Sequence, residues 1–166
     1  MRAIVCERFG GPEAVALREN WPEPEAGPGE VKVKIAARAV QYVDVLMVAG
    51  KYQFRPEPEF VPGGEAAGEI IALGEGVTGF KIGDQVMSRH TPGAFAEFGV
   101  SPAAETVLVP DGLSMEQAAC FRSAYATAYH ALVQRANIQS GETLVVLGAA
   151  GGIGLKTDQL SMEGDL

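Results

Sequence analysis

The run Leu144-Val145-Val146-Leu147-Gly148-Ala149-Ala150-Gly151-Gly152-Ile153-Gly154 restricts the fold more than any other stretch of the chain. Four apolar residues leading into clustered glycines read as a buried strand that turns tightly into a helix. Such a corner aims free backbone N–H groups at an anion, and glycine lets a pyrophosphate approach without a Cβ in the way. The device is completed by a crossover helix, a second parallel strand and, about 20 residues on, a polar side chain for a ribose. Twelve residues follow Gly154, so the expectation is an α/β unit that is only begun.

The preceding chain has a different rhythm. Residues 1 to about 110 read as short strands separated by Gly and Pro turns, the pattern of a small β-barrel or sandwich. Val31, Val33 and Ile35 alternate with Lys32 and Lys34, which predicts one face inward and the lysines in water. Glu69 to Leu73 runs into Gly74-Glu75-Gly76, and Gly83-Asp84 turns into Gln85-Val86-Met87, so hairpins are the simplest reading. Beyond Pro110 the period becomes helical: Ser114 and Gln117 form a capping-box pair ahead of Ala118-Ala119, and Tyr125, Tyr129 and Leu132 fall at i, i+4 and i+7. Two helices, or one bent helix, are expected to end near Asn137. The domain reading is therefore 1–122 for the β-rich part, 123–155 for helix, strand and glycine loop, and 156–166 for a divergent tail, with only Leu155, Leu160 and Met162 able to give the last helix an apolar stripe.

Charge and composition exclude several classes. The formal net charge is −8, with 13 scattered basic residues, which argues against a nucleic-acid surface, since that needs clustered Lys and Arg. No apolar run approaches the roughly 18 residues of a membrane span. Cys6 and Cys120 are far apart without C-x-x-C spacing, and the N-terminus lacks a signal-peptide pattern, so a reducing cytoplasm is expected. Cys120 reads as core, His130 as packed in its helix, and His90 as a loop residue.

Several segments, taken in order, carry a family resemblance: Asp44-Val45-Leu46-Met47 with Gly50-Lys51-Tyr52, Val61-Pro62-Gly63-Gly64-Glu65-Ala66-Ala67-Gly68, Gly83-Asp84 before Val86, Thr127-Ala128-Tyr129-His130-Ala131-Leu132, and Ala149-Ala150-Gly151-Gly152-Ile153-Gly154. Together they resemble the medium-chain dehydrogenase/reductase superfamily, in its zinc-free quinone oxidoreductase branch, over about residues 1 to 155. The resemblance implies a mainly β fold: a GroES-like barrel followed by the truncated start of a Rossmann domain that binds NADPH. It further implies metal-independent reduction of quinones or α,β-unsaturated carbonyls by hydride transfer. After Leu155 the match ends, because family members continue with a small apolar helix where this chain reads Lys156-Thr157-Asp158-Gln159.

Site residues follow from the resemblance, each beside a plainer reading. Tyr52 matches the cleft tyrosine and is a candidate donor to the substrate oxygen; it equally suits packing against Pro56 and Phe60. Gln41 stands where the family commonly has Asn and would reach the nicotinamide ribose or the substrate. Thr127 matches a threonine facing the nicotinamide, or else bonds back to the carbonyl one turn earlier. Ala150, Gly151, Gly152, Ile153 and Gly154 are the cofactor loop, or a flexible turn. Asp44 and Glu65 read as structural acids holding backbone N–H groups. The rival to an enzyme is a catalytically silent GroES-like module that binds a small molecule or another subunit. Self-association is also expected, because an apolar strand with open edges recruits another copy.

In the zinc branch a Cys stands near the place of Gln41 and a His precedes the Glu of Gly64-Glu65. This chain offers Gln and Gly there, and a zinc site needs converging Cys, His and carboxylate ligands. Elemental analysis of the purified chain is expected to find no stoichiometric zinc; one tightly held ion per chain would contradict it.

Overall fold

Alternation in Glu30–Arg38 builds the spine of the first unit. The computed structural model describes residues 1–90 and 92–162, and the chain divides into the units Met1–Cys120 and Phe121–Leu166. In the first, strands β1 (Ala3–Cys6) and β2 (Val15–Arg18) pair antiparallel on their own. Strands β3 (Glu30–Arg38), β4 (Glu65–Leu73), β5 (Gln85–Arg89), β6 (Phe98–Pro102) and β7 (Thr106–Leu108) form a curled antiparallel sheet in the order β6-β3-β4-β5-β7. Bridges Ala3 to Ala96 and Cys6 to Phe60 tie the small sheet to the large unit. The mainly β, half-barrel architecture is the one expected from the strand rhythm.

Val31, Val33 and Ile35 of β3 enter one core with Ala66, Ile70, Val86 and Ala94. Fully burying a Val or Ile side chain contributes about 1.5–3 kcal/mol, so these alternating positions hold the register. The β3–β4 register slips at Lys32/Val33 and Ile35/Ala37, and such bulges bend a strand and increase its twist. Helix α1 (Tyr42–Val48) follows β3, and α2 (Met115–Ala119) follows β7. In α2, Ser114 accepts from the Gln117 N–H at 3.3 Å while the Gln117 side chain accepts from the Ser114 N–H at 2.9 Å, as the capping-box spacing predicts. Its buried face is Ala118 and Ala119, small enough for the helix to lie close against the sheet.

Lys32 does not face water. Its ammonium contacts Glu23 at 2.7 Å and Glu25 at 3.2 Å, and lies 5.9 Å from the centre of the Phe98 ring. Two glutamates of the segment before β3 cover the lysine while staying exposed themselves, so a buried cation is paired at its solvent side, and Lys34 stays exposed.

The second unit contains α3 (Arg122–Tyr129), continued by a π-helical stretch His130–Ala136 and stopped by Asn137 in the left-handed region at φ 50. Helix α4 (Gly152–Met162) packs on α3. The Tyr125 hydroxyl donates to Gln159 at 2.8 Å, and Lys156 lies over the Tyr125 ring. The buried strand expected at Thr143–Leu147 does not form: the segment joins no ladder among the described residues, and Val145 and Leu147 are 75% and 92% exposed. A parallel strand is defined by bonds to neighbouring strands, and no described segment lies alongside it.

At the middle of the sheet Gly68 faces Ile35 across the β3–β4 pair, and a Cβ built on it would lie 2.1 Å from the Lys34 carbonyl oxygen. Gly68→Ala is therefore expected to destabilise the unit by about 3 kcal/mol through forced backbone separation. By contrast, Gly76→Ala, at φ 78 with nothing within 4 Å, should cost only about 1 kcal/mol. Urea unfolding of the two variants checks the ranking, and equal losses would contradict it.

Candidate functional site

Helix α1 and the start of β4 bring one half of the expected site together. Asp44, 3% exposed, accepts from the Gln41 backbone N–H at 2.8 Å and so closes the first turn of α1. Gln41 itself is half-buried, and its side-chain amide donates to Glu65 Oε2 at 2.6 Å. Glu65 is 2% exposed. Asp44 thus holds a backbone N–H as expected, and Glu65 accepts from the Gln41 side chain, a contact that no local spacing reveals because the two residues are 24 apart in sequence. Asp44 Oδ1 is buried without a hydrogen-bond partner among the described residues. Burial, opposed by hydrogen bonds from the backbone at Gln41 and Gly64, pushes the Asp44 carboxyl above its ordinary range. Val40, Tyr42 and Val45 around this amide are strongly exposed.

Tyr52 follows α1, half-buried, and packs against the cluster of Cys6, Met47 and Phe60. Its hydroxyl makes no hydrogen bond with the described residues, while Arg55 Nε donates to its carbonyl at 3.3 Å. Its ring packs against that cluster as a whole, and its phenol makes no hydrogen bond among the described residues.

Thr127 and the glycine loop belong to the second unit. Thr127 is exposed on α3, and its hydroxyl bonds to none of the described residues; the hydroxyl that bonds back one turn is that of Thr157, to Ile153 O at 2.9 Å. Gly148 takes φ 70, the Gly151 N–H reaches its carbonyl at 2.9 Å, and α4 starts at Gly152. A Cβ on Gly154 would lie 2.4 Å from that same carbonyl, whereas one on Gly152 would meet nothing within 4 Å. Gly154 therefore lets the helix close on its turn, and the Gly152 side stays open beside the free N–H groups of the first turn.

His90 lies just past the end of β5, outside any strand as expected, but its burial was not foreseen: it is 3% exposed, with Nε2 2.9 Å from Ser88 Oγ and Nδ1 without a hydrogen-bond partner among the described residues. Its ring occupies the space a side chain at Gly99 would need, since a Cβ there would sit 2.6 Å from the imidazole. The signal was available: Val86, Ser88 and His90 alternate, so all three share the inward face of one strand end. His130 is exposed and bonded to Gln134 at 2.6 Å, and Cys120 is exposed at the end of α2; both were expected to pack. A five-residue α2 buries only its two alanines, which leaves its end in solvent. Cys6, the other thiol, is buried and donates to the Arg8 carbonyl, and burial pushes its pKa up. Among the described residues no three His, Cys, Asp or Glu side chains gather as metal ligands, and no helix is long and apolar enough to cross a membrane.

Residues 27–111, just over half of the chain, match the alcohol dehydrogenase GroES-like domain. The chain belongs to that family. Rat quinone oxidoreductase is 37% identical over 162 residues, which are 97% of this chain and 49% of the relative. The crystal structure of the human synaptic vesicle membrane protein VAT-1 homolog-like protein superimposes with a TM-score of 0.94 at 35% identity, covering 96% of this chain and 52% of that one. The quinone oxidoreductase of Thermus thermophilus, also solved in complex with NADPH, gives 0.83 at 35% identity over 97% and 50%. The family is one of oxidoreductases, as the resemblance implied. The chain spans about half the length of these relatives.

Burial pushes the His90 pKa down from 6.5 to about 4. The fold thus holds a neutral imidazole, while the unfolded chain takes up a proton near its ordinary pKa. Stability is complete above pH 6.5, falls as the pH drops toward 4 and is flat below, with a span of about 3 kcal/mol. Unfolding at pH 7.5 and 4.5 should show this loss in the parent, and His90→Gln should flatten it. An unchanged pH response in the variant would contradict the assignment.

Proposed function

We propose that the chain is the catalytic-domain half, with the first corner of the cofactor domain, of an NADPH-dependent, metal-independent reductase of quinones or α,β-unsaturated carbonyls. The observation that carries the reading is the Gly148–Gly154 corner: a positive-φ turn, a helix packed on it through Gly154, and an open first turn at Gly152. That is a cradle for a pyrophosphate, in a chain similar along most of its length to a quinone oxidoreductase solved with NADPH. The residue types fit the group, since Ala150, Gly151, Gly152, Ile153 and Gly154 supply N–H groups, three of them from glycines without a Cβ, and Thr127 supplies a hydroxyl. NADPH, when bound, supplies a hydride from its nicotinamide C4.

The chain's own residues do the rest. Conjugated acceptors suit a site without a Lewis acid, because conjugation spreads the charge that develops on their oxygen. Tyr52 offers an unengaged O–H to that oxygen, and a donor aimed at developing charge stabilises the transition state more than the ground state. Gln41 orients the nicotinamide ribose or the substrate from the N-terminus of α1. Gln41 and Gly64 replace the ligand types of the zinc branch, which supports a metal-independent step. The partners are a small-molecule quinone or enone and, for the exposed apolar Thr143–Leu147 segment, a second copy.

A longer form carrying a complete cofactor domain is expected to oxidise NADPH with a quinone, and Tyr52→Phe to lower kcat/KM by about 100-fold. Stopped-flow loss of NADPH absorbance measures both. Wild-type rates in the variant would remove Tyr52 from the mechanism, and no quinone-dependent oxidation in the parent would favour the silent binding module.

A further inference from the structure

Glu65 is the most deeply buried carboxylate of the first unit, at 2% exposure beside Ala66 and Ala67, both fully buried. A strand start in such surroundings is more cheaply filled by an apolar residue, since burying a carboxylate costs several kcal/mol unless its bonds compensate. What it holds is the half-buried amide of Gln41, at 2.6 Å. A carboxylate oxygen accepts and an amide nitrogen donates, so Glu65 decides which end of the Gln41 amide faces the protein. The Gln41 backbone is meanwhile clamped from the other side by Asp44. Two buried acids from different elements, α1 and β4, therefore hold one residue, Asp44 by its backbone and Glu65 by its side-chain amide, whose neighbours in sequence Val40 and Tyr42 are each 76% exposed.

We infer that Glu65 is a positioning residue: it acts through Gln41, presetting the amide that meets the nicotinamide-ribose end of the cofactor. This role rests on the nicotinamide site proposed above, and adds to it a residue that touches neither cofactor nor substrate. Preorganisation of this kind raises affinity by removing the ordering cost that a free glutamine would carry at binding. Glu65 thus serves binding through its effect on Gln41.

The test uses the 166-residue chain labelled with 15N and titrated with reduced nicotinamide mononucleotide, with the Gln41 side-chain amide resonances as the readout. In the parent these resonances are expected downfield, slow to exchange and moved by the probe. Glu65→Leu should bind the probe about fivefold more weakly. Glu65→Gln, whose carbonyl still accepts from Gln41, should restore binding to within about twofold. In a Gln41→Ala background, Glu65→Leu should add nothing. An equal loss in that background, no rescue by Glu65→Gln, or a Gln41 amide that the probe does not move would each overturn the role. Should Glu65→Leu not fold, the parent resonances and the Glu65→Gln comparison with and without Gln41 decide the matter. Failure of quinone reduction in a longer form overturns the proposed reaction and leaves this coupling intact, so the two failures are separable.

Discussion

The backbone contact between β3 and β4 is the constraint on which the rest of the first unit depends. Gly68 brings its Cα against the Lys34 carbonyl at a separation no Cβ allows. That approach lets β4 lie at the centre of the sheet, with β3 and β6 on one side and β5 and β7 on the other. Register follows from it. Val31, Val33 and Ile35 meet Ala66, Ile70 and Val86 in one core, and a slip of one residue would turn every one of these side chains toward solvent. The small alanines of β4 leave room for α2 above, so the helix packs without large side chains of its own.

Polar burial is concentrated where the sheet hands over to α1. Asp44, Glu65, Ser88 and His90 are all buried, and each is explained by what it touches: a helix N-terminus, an amide, a carbonyl and a serine hydroxyl. Such groups are costly to leave unpaired, and two of their atoms, Asp44 Oδ1 and His90 Nδ1, are unpaired among the described residues. Burial acts on the two in opposite electrostatic senses but toward the same end, since it disfavours the charged form in both: the carboxyl is pushed up and the imidazole down. Lys32 shows the other solution, a cation covered by the two glutamates that it pairs with.

The second unit is organised by backbone geometry more than by a core. Asn137 stops the π-helical stretch in a left-handed conformation, and Gly148 and Gly154 bring α4 onto its own turn. Tyr125 joins α3 to α4 through one hydrogen bond and one cation–ring contact. Lys156 and Gln159 on α4 both meet Tyr125, one over its ring and one at its hydroxyl.

Periodicity, turn glycines and capping pairs are local in sequence, so they were readable directly. The inward alternation of β3, the Ser114–Gln117 cap, the end at Asn137 and the glycine corner all depend on residues within one or two turns of each other. Tertiary structure alone decided the environment of side chains that meet across the fold. Glu65 accepts from Gln41, 24 residues away in sequence, Lys32 is covered from a preceding segment, and His90 fills the gap at Gly99. The Thr143–Leu147 segment shows the same division from the other side: its composition states a propensity to extend, but a strand needs a neighbour's N–H and C=O groups. Those bonds are properties of the assembled sheet and not of the segment.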